Sequence, residues 1–524
     1  MKLPHVDAVR MSGCGCCALS RRGFLAGCAA GAAGAMGLAA VPSAARGAEA
    51  ERKLRIRLAF SHTTPDVILW PNIGFDYEGR GKELQTQLTP LCPDVEFLPV
   101  RIMNAAEAAK VMEQDKEVDG YLVYVLGMRG GAGTLTDLAG KAGRPMVVVE
   151  DQYAGPFSLG FGGRAAKAGW KAVCLATTRI QDVADAVNCF KVLRKPGATA
   201  DEFLAAARAV YKKNIARPGD LSCTADAVPP GNVAKCVEQL KSSVIVRVAG
   251  GPHGADKPIA DEFGVKVVTI PHAELHEAFL KSDPAESAKW ADQWIKGAEK
   301  MLEAKRDDVV KSGAMHLAMQ AVMKKYSARA ITIDCLGGFY SGKLQAFPCL
   351  GFVELNNSGL VGACEGDLSS TITMLAVGDL VGRPGYISDP VIDTSKNQII
   401  YAHCVAPTKV FGPQGPGNPY HVRSHSEDRK GAAVRSILPL GYMTTTLKFA
   451  PGRREAVIHL AKAVDNIDLD KACRTKLAAE VKGDIDRLFS NWAYGWHRVT
   501  FYGDIKEQIR ELCKALNIIV TEEA

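Results

Sequence analysis

The chain has 524 residues, 47% of them apolar and 23% charged, and a formal net charge of +7 at pH 7. That composition describes a globular chain with enough apolar residues for substantial cores, and so small a positive excess excludes a nucleic-acid argument built on charge. Beyond the N-terminal region no apolar run reaches the length of a bilayer span.

The first feature in chain order is Ser20-Arg21-Arg22-Gly23-Phe24-Leu25, followed by an uncharged Ala- and Gly-rich stretch to about Val41. Paired arginines, then Phe-Leu, then a mild apolar region are the order of a twin-arginine export leader, with small-residue cleavage sites at Ser43-Ala44-Ala45 and Ala48-Glu49-Ala50. The leader, residues 1–50, implies contact with an export machinery and a periplasmic or extracytoplasmic address. Leu25-Ala26-Gly27-Cys28 imitates a lipid-attachment box, but its apolar region would follow the cysteine instead of preceding it. Export in the folded state suits a subunit that takes up a metal or assembles before leaving the cell. Cys14, Cys16, Cys17 and Cys28 fall in the leader, and the remaining cysteines are irregularly spaced, without a Cys-x-x-Cys pair, as buried small hydrophobes would be.

The body, about 475 residues, has room for two to four domains. Strand-like runs at Leu54 to Phe60, Gly120 to Leu126 and Pro145 to Glu150 alternate with helical stretches at Ala105 to Glu113 and Thr134 to Ala142, which predicts a parallel sheet with crossover helices over residues 51–168. A second set, from Ala172 to Ala176 through Val244 to Val248 and Val265 to Ile270, predicts a second domain of this kind over 169–300. Apolar residues at Trp290, Trp294, Met301 and Leu302 predict connecting helices between Pro284 and Tyr326. From Ala330 the texture becomes rich in Gly, Pro and His, and residues 301–524 are expected to form a mixed α+β domain. The expected fold is thus two Rossmann-like parallel-sheet domains followed by an α+β domain.

Gly337 to Lys343 has the spacing of a phosphate loop without the Ser or Thr after its lysine, and Gly127 to Gly133 is a glycine-rich turn without the dinucleotide fingerprint. More informative is Gly362-Ala363-Cys364-Glu365-Gly366-Asp367-Leu368 ahead of a predicted helix over Ser369 to Leu380. Two carboxylates at i and i+2 beside a helix start suit a hard divalent cation; equally, Asp367 serves as an N-cap with Glu365 in solvent. Ser388 to Thr394 places Asp389 and Asp393 near Lys396, and Ile399 to Cys404 reads as a strand ending in His403. That histidine either faces a pocket or is satisfied within the core. Alternation from Tyr420 to His425 would set His421, Arg423 and His425 on one strand face, suited to a polyhydroxylated or anionic ligand or simply to solvent. His497 precedes a strand near the C-terminus.

With these residues in view, the third region resembles the C-terminal domain of the L-fucose and L-arabinose isomerase superfamily, through Cys364 to Asp367 with its helix and, more weakly, through His497 to Asp504. The resemblance implies a metal-dependent aldose–ketose isomerase, with a Mn²⁺-type ion bridging the oxygens of an open-chain sugar, or a closely related sugar-converting enzyme whose reaction is an epimerisation or elimination. Asp367 and His497 would be metal ligands and Glu365 a ligand or base. The second metal carboxylate would be Asp334 or Glu354. Arg423, His421, His425 and Lys396, with His403, would contact the sugar. A homo-oligomer is also implied. The alternative from another class is a non-catalytic periplasmic carbohydrate-binding protein on an isomerase scaffold.

Overall fold

The computed structural model describes residues 52–524. The expected leader lies outside them. The first five strands, β1 (Leu54–Ser61), β2 (Val95–Ile102), β3 (Gly120–Val125), β4 (Met146–Glu150) and β5 (Ala172–Leu175), form one parallel sheet in the order β2-β1-β3-β4-β5. Every residue of β3 and β4 is buried, because helices and neighbouring elements cover both faces, so the strands read as continuous apolar runs. Alternation divides them. Leu122, Tyr124, Val147 and Val149 pack toward Leu84, Leu88, Phe190 and Phe203, whereas Tyr121, Val123 and Val148 join a core that continues into Leu477 and Ala479.

After β6 (Val244–Val248) and β7 (Lys266–Ile270) come the two-residue β8 (Lys300–Met301), then β9 (Ala330–Ile333) and β10 (Val361–Ala363). The second parallel sheet has the order β10-β9-β6-β7, so its direction of growth reverses between β6 and β9. Such a reversal opens a crevice at the carboxyl ends of the strands.

The remaining strands are β11 (Tyr386–Asp393), β12 (Gln398–His403), β13 (Tyr420–Arg423), β14 (Ala433–Ser436), β15 (Met443–Ala450), β16 (Glu455–Asn466), β17 (Thr475–Lys482), β18 (Arg498–Tyr502) and β19 (Ile519–Glu522). A seven-stranded sheet runs β15-β18-β11-β12-β17-β16-β19, and further pairing of β15 with β16 closes it into a barrel. All of its ladders are antiparallel except β16 with β19. Closure removes the exposed edges that a lone antiparallel sheet would carry. β8, β13 and β14 make a small separate sheet.

Alternating α/β sheets and a distinct C-terminal region agree with the expected class. The expected boundaries do not follow the sheets. β5 hydrogen-bonds to β4 from beyond residue 168, and β9 and β10 complete the second sheet from beyond residue 300. A parallel strand can join its sheet after any crossover, so proximity in the sequence does not decide which sheet it enters. Met301 and Leu302 lie between the helices Pro284–Gly297 and Arg306–Lys325, exposed at 40% and 39%. Gly337 and Gly338 lie inside the helix Cys335–Tyr340, which disposes of a phosphate loop there.

Candidate metal centre

The site forms where the second parallel sheet meets the barrel. β10 runs out through Cys364 into Glu365 and Gly366, which both take left-handed backbone angles, φ 62° and 65°. Gly366 closes the turn by donating its N–H to Ile333 O at 2.8 Å. A Cβ there would meet Asp334 Cβ and N at an ordinary 3.4 Å, so it is the backbone angle that asks for glycine at this position. Glu365 has no such freedom, and a non-glycine residue in this region costs about 1–3 kcal/mol, the kind of strain that functional sites retain. Asp367 then caps the helix Leu368–Val381, accepting from Ser370 N at 3.0 Å and Ser370 Oγ at 2.6 Å.

The barrel supplies the facing wall through strand register. β11 lies between β12 and β18, with Asp389 opposite Ala402 and Ser388 opposite Arg498. His403 is therefore one residue beyond the partner of Asp389, and His497 one residue before the partner of Ser388. Adjacent strands are about 4.8 Å apart, so residues at these three positions can converge on one point. Glu365, Asp389, His403 and His497 do so, each offering one ligand atom within 4.8 Å of all the others.

His497 is held from both sides. Its Nδ1 lies 2.9 Å from Asp367 Oδ2, and its Nε2 lies 3.1 Å from Asp389 Oδ1 and 3.4 Å from Glu365 Oε2. His403 Nε2 is 3.7 Å from Glu365 Oε1 and 3.8 Å from Asp389 Oδ2, while its Nδ1 accepts from Cys404 N at 3.0 Å. The 3.1 Å approach to Asp389 is a charge contact without the alignment of a hydrogen bond. Asp389 Oδ1 and His403 Nε2 are both buried and have no hydrogen-bond partner among the described residues. An unsatisfied buried polar atom costs about 1–3 kcal/mol, and two of them aimed at a common point are what a cation site needs. Two carboxylates and two imidazoles fit a divalent ion of borderline hardness. The cluster passes that test.

Electrostatics agree with this geometry. Burial works against the His497 cation, but the carboxylates of Asp389 and Glu365 and the bond to Asp367 overcome it and raise the imidazole well above its ordinary range. Burial pushes Glu365 up, yet the charges of His497 and His403 and a His497 hydrogen bond hold it at about 2. Asp389 is raised, because burial outweighs the help of His497. The proton on His497 thus supplies the positive charge at the centre, and a bound cation would release it.

Of the residues singled out in the sequence, Glu365, His497 and His403 come together. Asp367 stands behind them: one oxygen takes Ser370 N, and the other meets Ser370 Oγ, His497 Nδ1 and, at 3.4 Å, Lys448 Nζ. It orients His497 in the carboxylate–histidine–metal manner and is not among the four. Asp334 caps the helix Cys335–Tyr340 and Glu354 accepts from Trp294 Nε1 at 3.4 Å, and neither stands in the four-residue cluster, whose second carboxylate is Asp389. Its sequence neighbourhood shows it only as an acid near Lys396; the usable signal is an acid and a proline inside a largely apolar strand beside one ending in histidine. Lys396 is half exposed, 3.5 Å from Asp393. β13 ends at Arg423, so the predicted single face does not form. His421 meets Glu299 at 3.6 Å, Arg423 pairs with Glu303, and His425 pairs with Asp428 at 3.0 Å.

The first sheet also reaches this region. Trp70, in the loop after β1, packs edge-on against Trp496 with ring centres 4.8 Å apart, and Trp496 donates to Pro390 O at 3.0 Å.

No family model matches the chain. Three curated relatives share its sequence at a distance, each bearing the name sulfoquinovose isomerase. The protein from Alkalicoccus urumqiensis is 23% identical over 303 residues, 55% of this chain and 67% of that protein. The one from Priestia megaterium (strain ATCC 12872 / QMB1551) is 24% identical over 297 residues, 55% and 66% of the two chains. The one from Clostridium sp. (strain MSTE9) is 25% identical over 302 residues, again 55% and 66%. The matched region thus spans about two thirds of the length of these relatives, all of them isomerases of a sugar by name.

Proposed function

We propose that this chain is a metal-dependent sugar isomerase that interconverts an aldose and a ketose through an ene-diol. The observation that carries the reading is the pair of buried, unpartnered ligand atoms, Asp389 Oδ1 and His403 Nε2, within a cluster completed by Glu365 and His497. The names of the distant relatives support a sugar as substrate. A sulfonated hexose, as in those names, is the first substrate to try.

Glu365, Asp389, His403 and His497 would hold the ion. When bound, it supplies a Lewis acid for the negative charge that develops on neighbouring sugar oxygens. The remaining work belongs to the chain. Glu365, ionised across the neutral range and the most exposed of the four, is the carboxylate placed to take a proton from the carbon beside the carbonyl. Asp367 and Lys448 fix the tilt of the His497 ring, and the Trp70–Trp496 pair, tied to Pro390 O, sets apolar surface beside the strand that carries Asp389. Mn²⁺ is the metal to try first. The Arg-Arg leader motif supports action outside the cytoplasm, and a homo-oligomeric state is proposed with it.

The test is metal content of the purified protein together with proton NMR of aldoses in D₂O, with and without Mn²⁺. Bound metal and metal-dependent deuterium incorporation at the carbon beside the carbonyl are expected. Sugar binding with neither metal nor exchange would replace this reading with a binding protein.

A further inference from the structure

Arg498 opens β18 directly after His497 and is fully buried. Its guanidinium is engaged on every side. Nε donates to Glu523 Oε2 at 3.2 Å and Nη2 donates to Glu523 Oε1. The other bonds turn back on the chain just before it. Nη2 donates to Ala493 O at 2.9 Å, and Nη1 donates to Gly495 O at 3.3 Å and to His497 O at 3.1 Å. The ring of Trp492 lies against the guanidinium, its centre 3.9 Å from Cζ. One cation thus holds the segment from Trp492 to His497 by three carbonyls and an aromatic face, and that segment delivers His497 to the cluster.

Glu523, which holds the cation, is itself anchored. It follows β19, which pairs in parallel with β16, and its N–H donates to Ile458 O at 2.9 Å. Its carboxylate also meets His459 Nδ1 at 3.0 Å; His459 Nε2 lies 2.8 Å from the Tyr401 hydroxyl, which accepts from Thr446 Oγ1 at 2.9 Å. Side chains from β12, β15, β16 and β18 are joined in this way through one run of buried polar groups. Such an ion pair is a poor source of stability. Desolvation offsets most of the attraction between the charges, and apolar residues of similar volume often serve a fold as well or better. What apolar residues cannot supply is a set of donors for Ala493 O, Gly495 O and His497 O.

Resting on the metal-centre reading above, we propose that Glu523 is a positioning residue for that centre. It fixes the Arg498 guanidinium, and Arg498, through the carbonyl of His497 and those of its neighbours, sets where the imidazole stands against Glu365 and Asp389. Asp367 holds His497 at the ring; the Glu523–Arg498 pair holds it at the main chain. Neither Glu523 nor Arg498 needs to touch the ion or the sugar.

The experiment compares three full-length proteins: wild type, Glu523→Gln, and the double variant Glu523→Leu with Arg498→Met. The single variant leaves a buried guanidinium without its carboxylate, a change that can unfold a chain; the double variant leaves neither charge of the pair. Circular dichroism follows folding, chelator competition measures Mn²⁺ affinity, and the electronic absorption of added Co²⁺ reports the geometry around the ion. The double variant is expected to fold, to lose roughly 10- to 100-fold in metal affinity as when a group that orients a ligand is removed, and to give an altered Co²⁺ spectrum. Glu523→Gln, which keeps one acceptor for Arg498, should show a smaller loss in the same direction. A double variant that folds with wild-type affinity and an unchanged spectrum, or one that does not fold, makes the pair a structural one and overturns the proposal while leaving the metal-centre reading intact. A wild type that binds neither Mn²⁺ nor Co²⁺ overturns both.

Discussion

The two parallel sheets are built on one plan, and only one of them carries the candidate centre. Each reverses its strand order at an inner pair, β1 with β3 in the first and β6 with β9 in the second. At the carboxyl edge of the first, the polar groups are matched among themselves. Ser61 Oγ accepts from Ala132 N at 2.9 Å, and a Cβ at Gly130 would come within 2.3 Å of that oxygen. Glu150, buried there, accepts from Phe157 N and Ser158 N, both at 2.9 Å, and from Ser158 Oγ. At the edge of the second, β10 delivers Glu365 to a barrel in which Asp389 and His403 keep unpartnered atoms. A reversal of strand order provides a crevice; chemistry needs a second wall that leaves polar atoms unmatched. The contrast between a satisfied Glu150 and an unsatisfied Asp389 expresses this in two residues.

The largest expected effect lies on the Asp389 side. Asp389→Asn should remove bound metal and lower turnover by roughly 10³-fold, about 4 kcal/mol of transition-state stabilisation. Elemental analysis and steady-state rates check this, and a variant with full metal and full rate would erase the contrast. On the Glu150 side the effect is on stability. Burial raises Glu150 from its ordinary 4.5 to about 7 despite its hydrogen bonds, so the folded chain holds this proton more tightly than the unfolded chain does. Its contribution therefore falls as pH rises from about 4.5 to about 7, by roughly 3 kcal/mol, and is level above. Denaturant unfolding of wild type and Glu150→Gln at pH 5 and pH 8 should show the variant gaining on the wild type by that amount, with turnover little changed. A gap that stays constant with pH would sink the account.

Asp367→Asn probes the group behind the ligand. Asn caps a helix as well as Asp does, so folding should persist while metal affinity falls about 10- to 100-fold, measurable by competition with a chelator. A loss as complete as that of Asp389→Asn would move Asp367 into the ligand set. Smallest of all, Lys396→Ala should change kcat and KM by less than about twofold, since an exposed lysine beside Asp393 contributes little. A larger change would return Lys396 to the sugar-contacting role that its sequence neighbourhood suggested.

What was legible in the sequence follows from the range of the interactions. Helix starts and strand runs are local, so the Asp367 cap, the strand ending in His403 and the strand after His497 could all be read directly. The Cys364 to Asp367 segment was recognisable as a loop with chemistry because its two acids are adjacent in the chain. The roles within it were not, since they depend on which neighbours approach from β11, β12, β15 and the residue before β18. Asp389 joins the centre through antiparallel register with β12 and β18, a relation between residues far apart in sequence. The sheets that β5, β9 and β10 enter are relations of this long-range kind too.

The left-handed backbone of Glu365 bears on how far the protein can be improved. Glycine at that position would relieve about 1 kcal/mol of backbone strain, but it would also remove the carboxylate that the charges of His497 and His403 hold ionised in the folded chain. Laboratory selection for heat resistance alone should therefore find no advantage in Glu365→Gly, and selection that demands sugar turnover should hold the strained residue in place, so neither pressure frees the turn of its strain.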